Sequence, residues 1–251
     1  MPKNKTLQLT LFLPLLIAIF ASLFFLRACI NSYLDTNKSK AKKDSSPYAG
    51  EKIRYDVKMG MLSLGRAESI NLPGEKLDGK QVNVMTMDTK LTNFTDNEKI
   101  YSDPQTLLPI RVERDILNFM NRERIIEDYD QENFTVTIIK HKGAKEQKFV
   151  IKKDSTIHNA VLLPYYVRRI PKLDVGRVIV ANLPTRRIEV RLDSIEDITV
   201  PAGTFKAYHF TSSPRQIEIW ISADERRIPL KIQGGGPFRY YLVMNSYTPP
   251  S

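Results

Sequence analysis

Near neutral pH the side chains best able to move a proton or hold a metal are histidines, and this chain has three, His141, His158 and His209. They lie far apart and share neither an HxH nor an HxxxH spacing, so each reads as a surface or satisfied interior residue. A serine-type acyl-transfer site would show a GxSxG elbow, which is absent. The acidic run Glu127, Asp128, Asp130 and Glu132 lacks the glycine and the distal glutamate of a calcium loop and reads as a solvated hairpin. Gly234-Gly235-Gly236 leads into Pro237 and another strand, with no helix N-terminus to present amides, so it reads as a wide turn and not a phosphate cradle. No catalytic residue, metal or cofactor is therefore expected. The one cysteine, Cys29, precedes the whole folded part, which excludes from that part a disulfide, a thiolate nucleophile and a cysteine metal site.

Binding chemistry is better represented. Arg168-Arg169 and Arg186-Arg187 are doublets whose guanidinium groups suit anionic headgroups or phosphates if they rim a concave surface. The other reading makes them the outward polar half of strands. Met85, Met87, Tyr165, Tyr166 and Trp220 belong to a larger aromatic and methionine set, with Tyr55, Met59, Met61, Phe149, Phe210, Phe238 and Tyr240, that fills a core. Methionine adapts to irregular apolar partners, so an interior left partly open would suit a lipid tail.

The elements that must position these residues begin after a leader. Leu7 to Leu26 carries no charge, and about 20 helical residues span the ~30 Å hydrocarbon layer. It is longer than the ~7–15 residue apolar core of a cleaved signal, so residues 1–28 read first as an uncleaved transmembrane anchor and otherwise as a cleaved signal segment. Leu26-Arg27-Ala28-Cys29 also resembles a lipoprotein cleavage box with Cys29 as the acylated residue, although Arg27 departs from its pattern. Residues 29–49 are Lys/Ser-rich and without apolar periodicity, a flexible tether. Ahead of Pro47 stand seven basic and two acidic side chains, so half of the formal +10 charge belongs to the leader, and no nucleic-acid partner is expected. The expected location is the inner membrane with the C-terminal domain in the periplasm, the alternative an outer-membrane lipoprotein.

From Glu51 onward the apolar period is two. Tyr55, Val57 and Met59 alternate with Arg54, Asp56 and Lys58. The habit returns around Val82, Ile110, Phe134 to Ile138, Ile188 to Leu192, Ile217 to Ile221, Ile228 to Ile232 and in the final FRYYLVMNSY. Pro73-Gly74, Asp78-Gly79, Asp103-Pro104, Lys142-Gly143 and Ala202-Gly203 supply turns. About a dozen short strands predict an all-β fold over residues 50–248, a large curved antiparallel meander or half-open barrel. One interruption, Asp154 to Pro171, predicts a short helix capped by Asp154 or Ser155 and ended or kinked by Pro164, with Ile157, Val161, Leu162, Tyr165 and Tyr166 covering one opening of the sheet.

GEKIRYDVKMGMLSLGRAE from Gly50, YSDPQTLLPIRVER from Tyr101, VPAGTFKAY from Val200 and IWISADERRIPLKI from Ile219 together resemble the bacterial family known as domain of unknown function 3108. The resemblance implies an exported Gram-negative envelope protein with a large curved sheet, broadly similar in fold to lipoprotein carriers whose half-barrels hold acyl chains. It brings no catalytic residues with it. Read on their own, VPAGTF is a tight turn and SADERR a solvated hairpin loop. The expected function is a membrane-tethered, non-catalytic binding module for a lipid, lipoprotein or other envelope component. The alternatives are an assembly protein docking an envelope partner through its arginines and an envelope-polymer hydrolase, which would need carboxylates facing into a cleft.

Overall fold

The computed structural model describes residues 46–234 and 240–250. The apolar segment, Cys29 and nearly all of the tether lie outside the described residues, as do Gly235, Gly236, Pro237 and Phe238. The described chain forms β1 (Lys52–Met59), β2 (Leu62–Leu77), β3 (Lys80–Leu91), β4 (Phe94–Ser102), β5 (Pro109–Asn118), β6 (Asn121–Asp130), β7 (Thr135–Lys142) and β8 (Lys145–Lys152). A short helix α1 (Leu163–Arg168) follows, then β9 (Val178–Asn182), β10 (Arg187–Val200), β11 (Gly203–Ser213), β12 (Ile217–Ser222), β13 (Pro229–Gly234) and β14 (Tyr241–Thr248).

All fourteen strands join one sheet in the order β8-β7-β6-β5-β4-β3-β2-β1-β14-β13-β12-β11-β10-β9, antiparallel at every pairing. The fold is thus all-β, a curved open sheet with one short helix. β14 pairs with β1, which joins the two meanders into one surface and leaves β8 and β9 as its edges. Alternation explains the inward face: Ile53, Tyr55 and Val57 of β1 are buried between polar neighbours. Pro73-Gly74 departs from the expected turn. It sits inside the sixteen-residue β2 at a register shift, a bulge, and the chain reverses only at Asp78-Gly79, where both residues take positive φ. At Gly65 the strands crowd so closely that a Cβ would come 2.1 Å from the Lys90 carbonyl oxygen.

Residues 153–162 lace the gap between the edges. The Lys153 amide donates to the Phe134 carbonyl at 2.8 Å, and the Gln131 side chain brackets Ile157, donating to its carbonyl at 2.9 Å and accepting from its amide at 3.0 Å. The His158 amide then donates to the Asn182 carbonyl at 2.6 Å. Pro164 begins α1 instead of ending it, because proline's missing N–H is harmless in a first turn. Neither Asp154 nor Ser155 caps it: the N-cap position is Leu162, with no side-chain cap, and Asn159 Oδ1 instead holds the preceding turn by accepting from the amides of Val161 and Leu162 at 2.8 and 3.2 Å. Leu163 and Val167 pack on the inward side chains of β9 to β12, while Leu162 and Tyr165 pack on those of β3 to β7.

Candidate functional site

The inward faces of the two meanders leave a cavity of about 690 Å³ between themselves and the α1 segment. Val57 and Met59 of β1, Met87 and Leu91 of β3, and Ile188, Ile217 and Ile232 of β10, β12 and β13 line it, with Val161, Leu163 and Tyr165 of the α1 segment. Inward positions on a strand are two residues apart, so these alternate apolar residues merge into a continuous wall. Phe94, at the start of β4, and Arg186, Gln216 and Tyr240, in hairpin turns, also line it at the same end of the sheet as Leu91, and the exposed Arg186 and Tyr240 place the opening there. Gly234 makes room for Tyr240, whose ring a Cβ would meet at 2.4 Å.

One corner is charged. The Arg114 Nε of β5 donates to Asp96 Oδ1 at 3.3 Å, and its Nη2 donates to Asp96 Oδ2. The same Nε lies 3.5 Å from Glu98 Oε2. Glu98 is 7% exposed, and loss of water pushes its carboxyl up to about 7, against the pull of the Arg114 cation and a hydrogen bond with Asn159. Behind it, the Tyr129 hydroxyl donates to Glu127 Oε2 at 2.5 Å. With Glu98 protonated, the Asp96–Arg114–Glu98 corner is neutral and offers both a donor and acceptors. Such a cavity accepts an apolar body together with one hydrogen-bonding group.

Residues 54–243 match the family described as Protein of unknown function (DUF3108). The chain belongs to this family. No curated protein matches the chain. Among solved structures, this DUF3108 member is similar to a β-barrel-like protein of domain of unknown function DUF1849 from Brucella abortus. The identity is 6%, the TM-score 0.50, and the match covers 82% of this chain and all of the other. That likeness concerns fold alone. A proposed exported protein with a YmcC-like fold from Bacteroides fragilis shares 9% identity over 81% of this chain and 97% of its own. A proposed lipoprotein from Parabacteroides distasonis shares 10% over 82% and 98%. Their TM-scores of 0.28 and 0.27 are too low to establish a common architecture.

The sequence-predicted residues scatter relative to the DUF3108 cavity. Met87, Tyr165 and Arg186 line it. Met85 is buried in the core beneath α1, and Tyr166 packs beside it with its ring edge-to-face against His158. Trp220 alternates with the inward Ile219 and Ile221, so it faces away from the cavity, stacked on His209 and donating to Glu196 Oε1 at 2.8 Å. Arg187 is exposed at the start of β10, and Arg169 is exposed and donates to the Pro104 carbonyl at 3.3 Å. Cys29 lies outside the described residues.

Arg168 does not rim the mouth. Its side chain is buried, with Nη1 and Nη2 donating to Glu51 Oε2 and Oε1 at 2.7 and 2.9 Å. Glu51 also accepts from Asn71 Nδ2 and the Tyr247 hydroxyl, so no oxygen of this buried carboxylate is wasted. Arg168 Nη2 donates to the Arg226 carbonyl, and Arg227 Nη1 and Nη2 donate to the carbonyls of Arg168 and Pro171, both at 2.9 Å. The GEKIRYD and ADERRIP strings therefore meet at one clamp on the end of α1. SADERR is more than a solvated turn.

The charged corner escaped the sequence reading. In FTDNEKIYS the inward positions Phe94, Asp96, Glu98 and Ile100 put two carboxylates on the apolar side of β4, and alternation alone would have exposed the conflict.

Proposed function

We propose that this domain is a non-catalytic binding module of the bacterial envelope that holds one acyl chain of a lipid or lipoprotein in the cavity under its sheet. The observation that carries the reading is the apolar space of about 690 Å³, within the size range of ligand sites, kept open beneath a sheet that could otherwise have packed on itself. Met59 and Met87 in its wall give an adaptable surface suited to a flexible chain. The Asp96–Arg114–Glu98 corner supplies the hydrogen bonds for a neutral polar group. An envelope setting is supported by the apolar leader.

The test is uptake of a fluorescent fatty acid by delipidated full-length protein, with native mass spectrometry of lipid that copurifies. Leu91→Trp fills the cavity from its wall and is expected to weaken uptake by at least about tenfold, with an unchanged melting temperature. Failure of the wild type to take up any acyl probe, with no lipid copurifying, would overturn the reading.

A further inference from the structure

The cavity opens among turns that are built unlike the rest of the surface. At the β1–β2 turn Met61 and Leu62 are 101% and 63% exposed, and at the β5–β6 turn Phe119 and Met120 are 69% and 96% exposed. Phe119 takes φ +54, a left-handed conformation that costs a bulky side chain energy and that Gly or Asn would adopt at less cost. The turns are braced: the Phe119 amide donates to the Asn93 carbonyl of the intervening β3–β4 turn at 2.8 Å. The fold gains nothing from four apolar side chains presented to water in this way.

Charge identifies what they meet. The turns of this end carry Lys58, Lys90, Lys142, Lys145, Arg186 and Arg187, with Glu146 as an isolated acid among them. The hairpin turns of the opposite end are mixed, with Asp78, Asp103, Asp130, Glu132, Asp224 and Glu225 set beside Lys76, Lys80, Arg226 and Arg227, so the net positive surface belongs to the mouth. Apolar tips ringed by cations fit an anionic bilayer surface, where the tips enter the acyl boundary and the cations meet phosphate. A second copy presenting the same end would bring like charges together.

We infer that the Met61-Leu62 and Phe119-Met120 tips dock the mouth of the cavity onto an anionic lipid surface, so that an acyl chain passes between bilayer and cavity without crossing water. The passage of the chain rests on the binding function proposed above; the docking itself does not.

The experiment uses the full chain with Cys29→Ser, carrying Met61→Cys, Met120→Cys or, as a control at the opposite end, Glu225→Cys. Each is labelled with an environment-sensitive fluorophore and reconstituted into vesicles with or without phosphatidylglycerol. In phosphatidylglycerol vesicles the labels at 61 and 120 are expected to shift to shorter wavelength and to be quenched by brominated acyl chains, while the label at 225 stays water-like. Labels at 61 and 120 as water-like as that at 225 would overturn the inference. Equal shifts in pure phosphatidylcholine would overturn its anionic assignment. A shift without vesicles that grows with protein concentration would mean that a second copy covers the tips, and would overturn it as well. Fatty-acid uptake measured on the same samples tells a failure of docking from a failure of the cavity.

Discussion

Glu98 is the residue whose environment conflicts most with its chemistry. Buried on an apolar face, its carboxyl is lifted from 4.5 to about 7 by loss of water. The folded protein therefore holds the proton more tightly than the unfolded chain does. The stability this lends is complete below about pH 4.5 and is lost as pH rises through about 7. Glu98→Gln keeps the shape without this titration, so its advantage over the wild type is expected to grow across that window and to reach roughly 3 kcal/mol above it. Urea unfolding at a series of pH values reads this directly, and a parallel slope in both proteins would refute it. If the corner binds a polar group through the protonated acid, acyl uptake by the wild type falls over the same range while uptake by the variant does not. Alternation along β4 puts Glu98 on the apolar face, but the cavity and the water Glu98 has lost are not legible in it, because burial depends on partners from β5 and the α1 segment.

At the scale of elements, alternation made the strands legible, and the exceptions arise where tertiary contacts outvote local signals. Pro73-Gly74 is a turn dipeptide absorbed as a bulge because β2 continues to pair with β3 on either side of it. Arg168 looked like one half of a solvated doublet, yet it is the bolt of α1, and its partner Glu51 is far away in sequence. Removing one member of such a pair leaves a buried charge, so Arg168→Met is expected to cost about 3–5 kcal/mol, and Arg168→Met with Glu51→Leu to recover much of it. A double-mutant cycle by thermal or urea unfolding gives the coupling, and additive losses would show that the clamp is not a pair. Gln131 acts in place of a strand: its side-chain amide serves both the carbonyl and the amide of Ile157 and donates to the Pro109 carbonyl at 2.9 Å. Gln131→Leu leaves these groups unpaired, with an expected loss of about 2–3 kcal/mol. Hydrogen exchange of residues 153–162 should accelerate in that variant more than exchange in β3 and β4.

For the whole molecule the open question of an open sheet is why its edges do not recruit other chains. β8 and β9 are the terminal strands, each with only one partner strand, and exposed apolar side chains lie on each, Phe149 and Val150 on one and Val178 and Val180 on the other. Unpaired strand edges template association unless charge or cover intervenes. On β8 the protection is charge: Lys145, Lys148 and Lys152 punctuate KEQKFVIK, and a second chain approaching antiparallel would set lysine near lysine. On β9 protection comes from the backbone of residues 155–158, held by the His158–Asn182 bond and by the Asn182 side chain on Ser155. The two edges should therefore fail differently. Lys148→Val is expected to leave the melting temperature within about a degree or two of the wild type while producing concentration-dependent oligomers by light scattering, since it removes repulsion without touching the core. Asn182→Ala is expected to lower stability by about 1–2 kcal/mol first and to associate only as a consequence. Were Lys148→Val to remain monomeric at every concentration, charge would not be what keeps β8 alone, and the curvature of the sheet would have to be credited instead.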